Sequence, residues 1–111
     1  MAQDELILSL YQKILDDSRT MLDMAKQEEW DALVDREMER RKQVVVLRTK
    51  LESQPEALSP AAMEQAQNLV KETLALDEET RRLVNVWMLE LDQKLGSINT
   101  SRRLQNTYLA P

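Results

Sequence analysis

From Ala61 to Leu95 the chain runs without a Gly or a Pro and keeps a helical apolar rhythm. Leu69, Leu76 and Leu83 recur every seven residues. Leu74 and Met88 flank Arg81 at the same step, and Val70, Asp77, Val84 and Leu91 form a third row. With Trp87 and Leu95 added, the rows spread over roughly 180° of the helix surface, where a two-stranded coiled-coil seam needs much less. At ~1.5 Å per residue the segment spans ~50 Å. A chain of 111 residues has to hide such a surface against itself or against a partner. The pattern therefore points to a binding protein rather than a catalyst.

Two further helices are expected ahead of this one. The first runs from about Gln3 to Lys26, with Asp4 and Glu5 in its first turn, where the helix dipole favours acids. Leu6, Leu10, Ile14 and Met21 mark one stripe; Leu8, Tyr11, Leu15, Leu22 and Ala25 mark its neighbour, with small Ser18 between. The break at Gln27 to Glu29 contains neither Gly nor Pro, and Trp30 is expected to pack across the corner. The second helix runs from about Glu29 to Glu52, with a main stripe of Trp30, Leu33, Val34, Met38, Val45 and Leu51. Within it, Val44-Val45-Val46-Leu47 circles the helix, so one neighbouring helix cannot cover all four.

Ser53 to Pro60 reads as a loop, with Ser59 capping the third helix and Pro60 at its first position. Gly96 and Ser97 are expected to end that helix. Residues 98–109 then form a short fourth helix, capped by Thr100 or Ser101 and presenting Leu104, Tyr108 and Leu109. It either lies over the apolar arc or stays loose, because a helix this short is marginal alone. The expected fold is all-α, one domain over residues 1–111: an antiparallel bundle of three long helices plus a short C-terminal fourth.

Composition removes most chemistry. Without His or Cys there is no common zinc ligand, no disulfide and no imidazole acid-base group, and one Gly cannot build a phosphate loop. No enzyme activity, metal or cofactor is expected. The tail from Gly96 takes two of the 15 bases and none of the 20 acids, leaving residues 1–95 with 13 bases against 20 acids. Such an acidic body argues against direct nucleic-acid binding. The local exception is Arg36 to Lys50, with six bases against two acids. No apolar run approaches the ~18 residues of a membrane span, and the N-terminus lacks the basic start of a secretion signal, so a cytoplasmic protein is expected.

Two residues admit alternative readings. Asp77 in the third helix either pairs with Arg81 one turn on, or is a sheltered polar group fixing helix register. Trp87 is either a core anchor or a hot spot on an open groove.

The order of features resembles a known family. Tyr11, Leu15, Leu22 and Ala25 lead into Glu29-Trp30-Asp31-Ala32-Leu33, followed by an Arg-rich second helix. The third helix carries Leu76-Asp77-Glu78-Glu79 and Leu89-Glu90-Leu91-Asp92, and a Gly96 bend leads to a tail with Arg102-Arg103, Leu104 and Tyr108. This resembles the FliT family, the bacterial flagellar export chaperones for the filament-cap protein. The resemblance implies a four-helix protein that binds the C-terminal part of the unassembled cap protein and prevents early assembly. It also implies delivery to the type III export apparatus through its ATPase complex and export gate. In some enteric members it implies inhibition of the flagellar master transcription regulator. The family's C-terminal helix is thought to cover part of the binding surface, which maps here onto Leu104 and Tyr108.

Both readings lead to the same residues. Val44, Leu47, Leu76, Leu83 and Trp87 are expected to contact a client helix laid along the apolar arc. Leu104 and Tyr108 form a displaceable internal cover, and Arg40, Arg41 and Arg48 steer acidic groups of a partner. The competing readings are a homodimer that buries the third helix against its copy, and an adaptor that binds and inhibits a flagellar transcription activator.

Overall fold

The computed structural model describes residues 2–54, 58–94 and 102–109. Helix α1 is Ala2–Lys26, α2 is Trp30–Ser53 and α3 is Pro60–Lys94. A last helical segment, α4, covers 102–109, with Gln105–Leu109 wound as π-helix. There is no strand among the described residues. The bundle is a rod of 54 × 22 × 21 Å. Its length is that of α3, whose 35 residues span ~52 Å at ~1.5 Å each. The expected cap at Thr100 or Ser101 and the expected stop at Gly96 lie outside the described residues.

The first joint is made without glycine. The Glu29 N–H donates to the Met24 carbonyl at 2.9 Å and the Glu28 N–H to the Ala25 carbonyl at 3.1 Å. These are the paired bonds of a Schellman ending, which needs a left-handed residue at its turn. Glu28 supplies it at φ 58°. An L-residue with a Cβ is held there at a cost of about 1 kcal/mol. Helix α2 then begins at Trp30, and Glu29 before it makes no side-chain cap. The second joint follows expectation: the Ala62 N–H donates to Ser59 Oγ at 3.2 Å, and the Met63 N–H to the Ser59 carbonyl at 2.8 Å.

The end of α1, the start of α2 and the end of α3 share one core cluster, so each helix runs antiparallel to the next. Helix α1 is the common partner. Both α2 and α3 pack along it, and the backbones of α2 and α3 scarcely approach one another, though Trp30–Trp87 and Arg40–Asp77 bridge them. Its buried row is Ile7, Ile14, Ser18, Met21 and Ala25. Ile7 belongs to the seven-residue step of Ile14 and Met21, whereas Leu6, expected in the stripe, is exposed.

Helix α2 departs from its expected stripe. Trp30, Leu33 and Val34 are buried, but Met38, Val45 and Leu51 are exposed. Glu37 and Arg40 take the inward positions at mid-helix, and the apolar contact resumes at Val44 and Leu47. Of the four-residue apolar run, Leu47 is buried, Val44 is half-buried, and Val45 and Val46 face out. On α3 the buried row is Ala62, Ala66, Thr80, Val84 and Met88. Leu69, Leu76 and Leu83 flank it, half-buried.

Candidate functional site

Because α2 and α3 flank α1, a cleft is left between them over the inward row of α1. The C-terminal helix closes one end of it. Leu104 is 0% exposed and packs among Met21 and Ala25 of α1, Trp30, Leu33 and Val34 of α2, and Val84 and Met88 of α3. Burying a leucine fully contributes ~1.5–3 kcal/mol, enough to hold a segment that would be marginal in isolation. Leu83, Trp87 and Tyr108 pack at the rim. The rings of Trp30 and Trp87 lie 5.0 Å apart and tilted by 38°, an arrangement favoured by aromatic quadrupoles. Outside this cluster, Arg103 reaches Asp31 at 2.7 Å and Asp35 at 3.1 Å. Both pairs are solvent-exposed and add little energy, but they fix where α4 lies on α2.

At mid-height a polar tie joins all three long helices. Arg40 Nη1 donates to Ser18 Oγ at 2.8 Å and to Asp77 Oδ1 at 2.5 Å, and Ser18 Oγ donates to the Ile14 carbonyl. The Arg40 and Asp77 side chains are 15% and 26% exposed, so the pair is mostly shielded from water. Asp77 therefore does not simply pair with Arg81 along its own helix. The register-fixing alternative describes it better, since Arg40 supplies the partner from across the cleft. Ser18 is here not a tolerated gap in a stripe but an acceptor for that guanidinium.

The Tyr108 hydroxyl ends α4 beside this tie. It is buried and has no hydrogen-bond partner. Burial raises its pKa far above the usual phenol value. Arg40 and Arg81 pull against that shift, while Glu37 and Asp77 reinforce it.

Below the tie the inward rows of α1 and α2 close on themselves. Ile7, Ile14 and Leu47 form a second buried cluster with Leu10, Tyr11, Val44 and Leu58 around it. No fourth segment lies over it among the described residues. On the side of α3 that carries Asp77 and Arg81, Leu74, Val70 and Met63 follow at helical spacing, all exposed. A hollow of about 290 Å³ lined by Tyr11, Met63, Ala66, Gln67, Val70 and Lys71 opens beside them. Farther along α3, Val86 and Leu89 are also exposed.

The expected site residues fall into groups. Leu83, Trp87, Leu104 and Tyr108 come together at the closed end. Val44 and Leu47 lie at the other end, where Leu47 is part of the interior and only Val44 reaches the surface. Leu76 is half-buried at the level of Asp77. Among the arginines, Arg40 is engaged inside, Arg41 grips both Glu37 carboxylate oxygens at 3.0 and 2.9 Å, and Arg48 is exposed with no ion pair among the described residues. The sequence reading passed over Met38, Val86 and Leu89 as surface features. Helical rows give an apolar arc but not which of its edges α1 covers. Among the described residues no cluster could hold a metal ion, and no helix is long and apolar enough to cross a membrane.

Comparison with known proteins gives one consistent result. The family model described as "Flagellar protein FliT" matches residues 8–110. A protein named "Flagellar protein FliT" from Photorhabdus laumondii subsp. laumondii is 31% identical over 102 residues, covering 92% of this chain and 80% of that protein. No solved structure matches the chain.

Proposed function

Since the chain belongs to the FliT family of flagellar proteins, we propose that it is an export chaperone that binds the C-terminal region of the unassembled filament-cap protein. It keeps that region from assembling early and hands it to the type III export apparatus, through its ATPase complex and gate. The observation that carries the reading is the unpartnered apolar surface of α3, where Leu74 is 61% and Leu89 is 65% exposed. An amphipathic client helix has its apolar face matched there. Leu76, Leu83 and Trp87, the expected contact residues, stand half-buried on the opposite flank of the buried row of α3, and Val44 borders the Ile7–Leu47 cluster. Lifting α4 would bare Val84 and Met88, which share the buried cluster of Leu104, so Leu104 and Tyr108 act as the displaceable cover. Leu47 belongs to the buried cluster with Ile7 and Ile14 and is not part of the proposed contact surface.

A calorimetric titration with the C-terminal region of the same organism's cap protein, run beside light scattering, tests this. A one-to-one complex is expected, and Leu74→Asp should weaken it at least ~10-fold, the effect of losing ~1.4 kcal/mol. No complex with the native protein would sink the chaperone reading. Self-association through α3 in the absence of client would favour the homodimer.

A further inference from the structure

Steps of three and four residues set Met38, Arg41, Val45 and Arg48 along one outward stripe of α2. Met38 and Val45 are each 54% exposed. Arg41 is itself exposed but engages the buried Glu37 carboxylate through Nη2, and Arg48 has no ion pair among the described residues. The stripe lies in the stretch from Arg36 to Lys50 that carries six bases and two acids, in a chain of net charge -5. A basic apolar surface on an acidic body selects its partners by charge.

The stripe also continues the track on which α4 rests. Asp31 and Asp35 hold Arg103, and Met38 follows Asp35 by one turn. The track therefore changes sign along α2, from acidic beneath α4 to basic beyond it. The C-terminal segment, with Arg102 and Arg103 and no acid, suits the first part and is repelled by the second. A second copy of the chain fits poorly, because a two-fold pairing of this stripe sets basic against basic. A bilayer fits poorly as well: the stripe has no aromatic anchor, and the surrounding body is acidic.

We propose that Met38, Arg41, Val45 and Arg48 form a docking stripe for an acidic amphipathic helix of a partner protein, which binds beside the resting α4 rather than in its place. Met38 and Val45, seven residues apart, receive one apolar row of the partner, and the two arginines receive carboxylates on its flank. The chaperone surface on α3 is not used, so the protein can hold two partners together.

The test uses the whole protein, with its Met38 methyl and Val45 amide followed by NMR. The probe is a synthetic helical peptide with a leucine row flanked by glutamates; the control carries lysines at the glutamate positions. The glutamate peptide should shift the Met38 and Val45 signals, leave those of Leu104 and Tyr108 in place, and bind more weakly as salt rises. Arg48→Glu, at an exposed position with no ion pair among the described residues, should weaken it at least ~10-fold, equivalent to ~1.4 kcal/mol. The proposal is overturned if the lysine peptide binds equally well or if the shifts map to Leu74 and Leu89. It is equally overturned if Met38 responds to protein concentration alone, or to phosphatidylglycerol vesicles in preference to the peptide. Because the probe contains no cap-protein sequence, its outcome is separate from that of the calorimetric titration.

Discussion

The two ends of the bundle are built from the same three helices and differ in what lies over the cleft. At the Trp30–Trp87 end, α4 completes a cluster in which Leu104, Val84 and Leu33 lose all contact with solvent. At the Ile7–Leu47 end the inward rows close on themselves, and Met63, Val70 and Leu74 stay exposed along α3. One end thus takes a residue of the short C-terminal segment into its core, whereas the other buries its inward row with the long helices and Leu58.

The sharpest challenge to this division is Leu104→Ala. If the closed end is true core, the substitution should cost ~2–4 kcal/mol in urea unfolding, as for other fully buried leucines. Val45→Ala should change stability by less than ~0.5 kcal/mol. Equal effects would abolish the distinction. Next in size is the tie at the boundary. Arg40→Ala leaves Asp77 sheltered and unpaired, and a loss of about 2 kcal/mol is expected. A double-mutant cycle with Asp77→Ala should show coupling between the two.

Tyr108→Phe sharpens the comparison in the opposite direction. It removes a buried hydroxyl that has no partner, and should stabilise the protein by about 1 kcal/mol at neutral pH. The phenol is also harder to ionise folded than unfolded. The stabilisation from keeping it neutral is complete below the unfolded value of ~10 and is lost as pH rises beyond it. The native protein should therefore lose stability above pH ~10 faster than the Phe variant, as read by paired thermal melts. The smallest effect is expected at the first joint. Glu28→Gly relieves the left-handed strain but adds freedom to the unfolded chain, for a net gain of ~0.5 kcal/mol. A loss would mean that the Glu28 side chain makes a contribution of its own.

Much of this architecture was legible in the residues. Uninterrupted apolar rows gave the three long helices, and Ser59-Pro60 gave the start of α3 to the residue. The joint at Glu28 was harder, because the turn uses a residue that carries no signal for positive φ. The inward position of Arg40 was not legible either. Its partners Ser18 and Asp77 are 22 and 37 residues away, and each has a bland reading on its own helix. Burial of Leu47 beside exposure of Val45 and Val46 follows from a single neighbour, α1, whose angular position no local pattern encodes. The same applies to Leu76, Leu83 and Trp87. The rows identify them as apolar, but only the packing of α1 and α4 makes them half-buried.

The placement of α4 has a consequence for the order in which the protein is made. Helices α1 and α2 are adjacent in sequence and can pair as soon as both have left the ribosome, and α3 then needs only α1 to dock. The residues that seal the Trp30 cluster are synthesised after all three long helices. Every nascent copy thus passes through a stage in which the bundle is built and its most apolar junction is still bare. In the finished protein the same segment is joined to the rest by few close contacts besides Leu104, Tyr108 and Arg103. Amides of 102–109 are expected to exchange with solvent ahead of those in α1, by local opening that leaves the long helices folded.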